Sequence, residues 1–189
     1  MLITQVTERF YSLENIFSNK LFQELVAVFD RDRSTWVVQP DGMSAFPRLQ
    51  FSPTESIETE RLYIQLCDQI LKEVEPIVEL AESVTQTKLW PNNPQLWYDP
   101  DGYINTIHDG DISPNHYVNL QVYLANGNEN MGTYCYDNDT WHTLPYRANC
   151  GYIMLYPTRT PHGMKNYVVD KRLSLYQGFR ATEIPSDIW

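Results

Sequence analysis

The sequence predicts an α+β fold dominated by β, a jelly roll with N-terminal helices packed on one outer face of its sheet. Three observations carry this. Apolar residues before about position 85 recur at three- and four-residue intervals, the spacing of one helical face. From Leu89 to Arg180 the chain turns rich in Tyr, Val, Ile, Asn and Gly, in short runs parted by turn residues. The length of 189 residues, with no linker-like composition inside it, fits one domain with a real core. The expected layout is 1–88 as helical and strand support, 89–180 as the jelly roll, and 181–189 as a tail.

The first part reads as helical. From Ser18 the residues Leu21, Phe22, Leu25, Val26 and Phe29 form a stripe that Arg31, Asp32 and Arg33 end. Trp36 to Phe51 reads as one or two strands with turns. A second stripe starts near Ser56, a good N-cap, and runs through Tyr63, Leu66, Cys67, Ile70, Val74, Ile77, Val78 and Ala81. Pro76 lies within it and should kink it or split it. Later, Val118–Leu124 alternates as a strand does, and Ala125-Asn126-Gly127-Asn128 reads as the turn after it. Gly132–Tyr136, Gly151–Tyr156 and Leu173–Phe179 are further strands. Short strands in succession suggest a sandwich or barrel, and jelly rolls are the form that commonly hosts metal sites.

Composition narrows the function classes. A net charge of −10 disfavours a surface built for phosphate backbones, although it leaves room for a small acid met by buried arginines. Neither a signal-peptide pattern nor a membrane-spanning apolar run is expected. Three cysteines, Cys67, Cys135 and Cys150, lack zinc-site spacing, so reduced thiols and a cytoplasmic location are the expectation. No phosphate loop, Cys–His pair or serine-nucleophile pattern is present. Asp99-Pro100-Asp101-Gly102 has the look of a calcium loop without its later acid, and reads better as a tight turn.

The chemistry-bearing residues are His108 and His162, with Arg172 ten positions after the second. Two imidazoles and one carboxylate on one face suit iron and leave coordination positions open. Each histidine taken alone is weak evidence, and His116 and His142 have no partner at ligand spacing, so they are assigned to loops or a pocket rim. Trp97, Tyr98, Tyr103 and Trp141 read as core or pocket wall, with Lys165 and Asn166 near the site mouth.

In context the pattern resembles the iron(II)- and 2-oxoglutarate-dependent dioxygenases, particularly their prolyl-4-hydroxylase-like branch, over roughly residues 97–180. Trp97-Tyr98-Asp99-Pro100-Asp101-Gly102 leads to His108, and Gln121-Val122-Tyr123-Leu124-Ala125-Asn126 matches a strand ending in Tyr-Leu. Gly132-Thr133-Tyr134-Cys135-Tyr136 follows, then Asn149 to Pro157 running into His162, then Lys171-Arg172-Leu173-Ser174. The resemblance implies a double-stranded β-helix (cupin-like) and a hydroxylase using Fe(II), O2 and 2-oxoglutarate as co-substrate. It also implies His108 and His162 as iron ligands, and Arg172 paired with the distal carboxylate of 2-oxoglutarate, helped by Ser174 and Tyr123. The substrate would be a small molecule or peptide, with neither nucleic acid nor membrane as partner.

One position departs from the family pattern. Its acid stands two residues after the first histidine, where this chain has Gly110. A local bulge would bring Asp111 in as third metal ligand, the preferred reading; Asp109 is less favoured because neighbouring side chains diverge. Alternatively the acid is absent and a halide fills its place, as in the iron/2-oxoglutarate halogenases. A jelly-roll binding protein without catalysis is the competing class.

Overall fold

Two sheets face each other, and helices cover the back of the larger one. The computed structural model describes residues 1–31, 33, 36–39, 46–108, 117–155 and 160–181. The chain opens on a hairpin, β1 (Leu2–Gln5) with β2 (Phe10–Glu14), and β2 continues onto β10 (Cys150–Leu155). Neither of these two strands was among the elements expected from the sequence. Phe10, Tyr11 and Leu13 are all buried, so β2 is covered on both faces and lacks the alternation that marks a half-exposed strand.

The helices follow the periodic stripes. Ser18 caps α1 (Asn19–Val28) by accepting the Leu21 N–H, and Leu21, Leu25 and Val28 are buried. Ser56 caps α2 (Ile57–Glu73) in the same way through Thr59 N–H. The helix stops at Val74, and Pro76 falls in the first turn of α3 (Glu75–Thr85), where a missing N–H costs nothing. Leu66, Ile70, Val74, Ile77 and Ala81 then join Leu120, Val122, Ile153, Leu175 and Phe179 in one core. No helix among the described residues is long and apolar enough to cross a membrane.

The remaining strands are β3 (Val37–Gln39), β4 (Arg48–Gln50), β5 (Leu89–Pro91), β6 (Gln95–Pro100), β7 (Val118–Tyr123), β8 (Thr133–Asp137), β9 (Thr140–Leu144), β11 (His162–Gly163) and β12 (Lys171–Ala181). The larger sheet runs β1-β2-β10-β7-β12-β6-β4-β3, with β5 also on β12; the smaller runs β11-β8-β9. These agree with the expected strands to within a residue or two at most ends, while Tyr156 and residues 182–189 lie outside the described residues.

Strand alternation divides the larger sheet chemically. The row Gly151–Val122–Leu175–Leu96 faces the helices, whereas Tyr152–Gln121–Tyr176 and Tyr123–Ser174–Trp97 face the smaller sheet. Beside the second of these rows Arg172 stands opposite Asp99. The space between the sheets is thus lined by polar and aromatic groups and backed by an aliphatic core.

Gly151 is required by the close approach of β7. A Cβ added there would lie 2.0 Å from the Gln121 carbonyl oxygen, which is backbone and has nowhere to go. Gly151→Ala is expected to lower stability by roughly 1–3 kcal/mol, the usual cost of overpacking. Urea unfolding followed by circular dichroism checks it, and an unchanged midpoint would refute it.

Candidate metal and anion site

His108 and His162 face each other across a two-bond antiparallel bridge. Each backbone N–H donates to the other's carbonyl at 2.9 Å, and the imidazole centroids are 4.7 Å apart. Gly163 permits this closeness, because a Cβ there would meet the Thr106 carbonyl oxygen at 2.7 Å. Each ring is held alike: Nδ1 of His108 lies 2.7 Å from the Thr106 carbonyl oxygen, and Nδ1 of His162 lies 2.8 Å from that of Thr160. A carbonyl only accepts, so Nδ1 carries the proton in each neutral ring and Nε2 is the nitrogen that bears the lone pair. This is the outer support that metal-binding histidines use.

Asp111, expected from the sequence as a third metal ligand, lies outside the described residues. So do Asp109, Gly110 and His116, and among the described residues no cluster of three metal-ligating side chains occurs. Cys135 pairs with His162 in register, but it is fully buried, and burial with the nearby Asp137 carboxylate pushes its thiol up to about 12. His142, expected in a loop or at a rim, sits in β9 opposite Cys135 with a buried Nε2. It is a strand residue because the 140–144 run pairs fully with β8.

Arg172 stands at the start of β12 on the face between the sheets and is 2 % exposed. Its Nη1 donates to Asp99 Oδ2 at 2.7 Å, its guanidinium lies 5.1 Å from the Tyr123 ring centre, and its buried Nε has no hydrogen-bond partner among the described residues. Burial opposes its charge, but Tyr123 and Asp99 favour it, and its pKa lies above the ordinary guanidinium value. Asp99, with no exposed surface, is shared: Arg48 donates to it from Nε at 2.6 Å and from Nη2 at 3.2 Å. The Arg48 guanidinium also lies over the Trp97 ring at 3.8 Å. Two cations therefore surround one carboxylate, and among the described residues the cluster of Arg48, Asp99 and Arg172 carries one net positive charge.

Ser174 is fully buried one strand step away. Gln121 Nε2 donates to its Oγ at 3.2 Å, and Tyr152 donates to Gln121 Oε1 at 2.7 Å. That chain leaves the Ser174 O–H free to donate. Tyr123 differs from its expected use, since its hydroxyl donates to Thr133 Oγ1 at 3.0 Å and accepts the Thr133 N–H at 2.9 Å. Its ring stands beside the guanidinium while its proton goes to Thr133. Tyr146 adds a neutral wall: it accepts the Leu173 N–H at 2.9 Å, and burial pushes its phenol up to about 12.

The sequence singles out His108, Asp111, His162, Arg172, Ser174 and Tyr123, of which Asp111 lies outside the described residues, but not Asp99 or Arg48. Asp101 and Gly102 do form the expected turn, yet Asp99 belongs to β6 and points inward. No local signal marks either residue; only pairing between strands far apart in sequence brings them together. The expected pocket aromatics divide. Tyr103 is core, Trp97 stacks on Tyr176 at 4.6 Å, and Trp141 stacks on Tyr134 with Lys165 over the latter.

The donor set fits the groups implied by the sequence. Two Nε2 lone pairs suit a divalent cation, and a buried guanidinium with an orphaned N–H suits a carboxylate. By sequence the chain matches no protein-family model and no curated protein. By structure it is similar to a prolyl hydroxylase from Trichoplax adhaerens in complex with a peptide of hypoxia inducible factor. That match has 11% identity and a TM-score of 0.67, and covers 92% of this chain and 84% of that one. A prolyl-4-hydroxylase from Pseudomonas putida matches with 16% identity and a TM-score of 0.59, over 94% and 95% of the two chains. HygX from Streptomyces hygroscopicus, with nickel, 2-oxoglutarate and hygromycin B bound, matches with 16% identity and a TM-score of 0.63, over 92% and 83%. In fold, the chain is therefore a double-stranded β-helix of the kind shared by iron- and 2-oxoglutarate-dependent oxygenases, prolyl hydroxylases among them.

Proposed function

We propose that the protein is an iron(II)- and 2-oxoglutarate-dependent oxygenase that hydroxylates an unactivated C–H bond of a small molecule or peptide. The observation that carries this reading is the histidine pair, with both Nδ1 atoms held by carbonyl oxygens, in a fold whose interior also holds the cation Arg172. Iron with 2-oxoglutarate and O2 supplies the oxidising power, yielding hydroxylated product, succinate and carbon dioxide. The chain's own residues hold and orient. His108 and His162 offer Nε2 to the metal, with Asp111 as the third ligand. Arg172 pairs with the distal carboxylate, and Ser174 donates its O–H to the same group while Gln121 fixes its oxygen. Tyr123, Tyr146 and Tyr152 exclude water from that end.

Gly110 favours one second reading, in which a halide takes the acid's place and the product is halogenated. Anaerobic addition of Fe(II) with 2-oxoglutarate tests the first. A pair binding the native state should stabilise it by about 2.7 kcal/mol at a hundredfold excess over Kd. No shift in melting temperature would refute the reading. Stabilisation that needs chloride, with a chlorinated product, would replace hydroxylation by halogenation.

A further inference from the structure

Arg48 touches Asp99 with two nitrogens, stacks on Trp97 and lies 5.0 Å from the Tyr103 ring centre. It comes from β4, outside the residues carrying the metal and anion contacts described above. Its role follows from charge. Asp99 is wholly buried and within hydrogen-bond distance of Arg172, so on its own it would neutralise that guanidinium and compete with any incoming carboxylate. Arg48 donates to both oxygens of Asp99, holding Oδ1 at 2.6 Å and sharing Oδ2 with Arg172 Nη1. The pair Arg48–Asp99 is then neutral as a unit, and Arg172 keeps a net positive charge and an unused Nε–H.

We infer that Arg48 is a positioning residue that acts through Asp99, keeping Arg172 electrically available to the terminal carboxylate of the co-substrate. The inference rests on the function proposed above. It makes the anion end of the site a three-residue device in which the sum of charges, rather than Arg172 alone, sets affinity. One unit charge removed at roughly 8 Å, at an effective dielectric of about 20, weakens carboxylate binding about thirtyfold.

The test is titration calorimetry of 2-oxoglutarate into the Mn(II)-loaded full chain, with 2-oxovalerate, which lacks the distal carboxylate, as control. Arg48→Gln should raise the Kd for 2-oxoglutarate about thirtyfold and leave that for 2-oxovalerate unchanged. The double variant Arg48→Gln with Asp99→Asn restores the net charge and should recover most of the affinity, as should Arg48→Lys alone. A role confined to packing predicts instead that the double variant binds no better than Arg48→Gln, and that result overturns the inference. So does a wild-type Kd retained in Arg48→Gln, which leaves the proposed function standing. A wild-type protein that binds neither keto acid removes both.

Discussion

His162→Ala is expected to abolish metal-dependent binding of 2-oxoglutarate while the fold survives. The backbone of His162 holds β11 to β8 and to His108, and alanine keeps those hydrogen bonds. The imidazole itself is only half-buried, so its removal costs little packing. The effect on the metal is of another order. Loss of an outer-shell partner alone costs about 10–100-fold in metal affinity, and loss of a ligand from a site with three costs more. Calorimetric titration with Mn(II) should therefore show no saturable binding, against a melting temperature within a few degrees of wild type. Metal affinity kept within a few-fold would show that His162 is no ligand, and the proposed function would fall with it. His108→Ala should behave in the same way, because its ring is held by the same carbonyl contact on the other side of the bridge.

The sequence made the helices legible for a physical reason: each has one wet face, so the stripe shows, and Ser18, Ser56 and Pro76 mark their ends. The jelly-roll strands were legible by texture and turn residues. The β1–β2 hairpin was not, since β2 pairs with β10 and is buried on both sides, leaving no period to read. Site legibility divides along the same line. His108, His162, Arg172 and Ser174 stand in a fixed order along the chain, and order survives in sequence. The partners of Arg172 do not stand in any such order: Asp99 is 73 residues before it and 51 residues after Arg48. Nothing but the register of β4, β6 and β12 brings the three together. Asp99 therefore looked like part of a turn, and Arg48 like any arginine. The same limit applies to Tyr123, whose hydroxyl is committed to Thr133 on the opposing sheet.

Asp99→Ala should be the most destabilising of the substitutions considered, by about 3–5 kcal/mol, the cost of breaking a buried ion pair from one side. The reason is the charge left behind. Without the carboxylate, two guanidiniums share a space walled by Trp97, Tyr103 and Tyr123, and neither has another anion to face among the described residues. Relaxation is unequal. The Arg48 side chain is 11% exposed and starts from β4, one strand from the sheet edge, so it can swing its head towards water. Arg172 is 2% exposed in the middle of the sheet and has no such route. Its desolvation is thus the larger part of the loss, and Arg48 supplies the smaller. A urea titration of the variant decides between the two. A loss near 4 kcal/mol fits a trapped Arg172, whereas one below about 1 kcal/mol would mean that both cations reach solvent and that Asp99 is dispensable. Adding 2-oxoglutarate with Mn(II) sharpens the reading, because an anion that replaces Asp99 beside Arg172 should restore more stability to the variant than it adds to wild type.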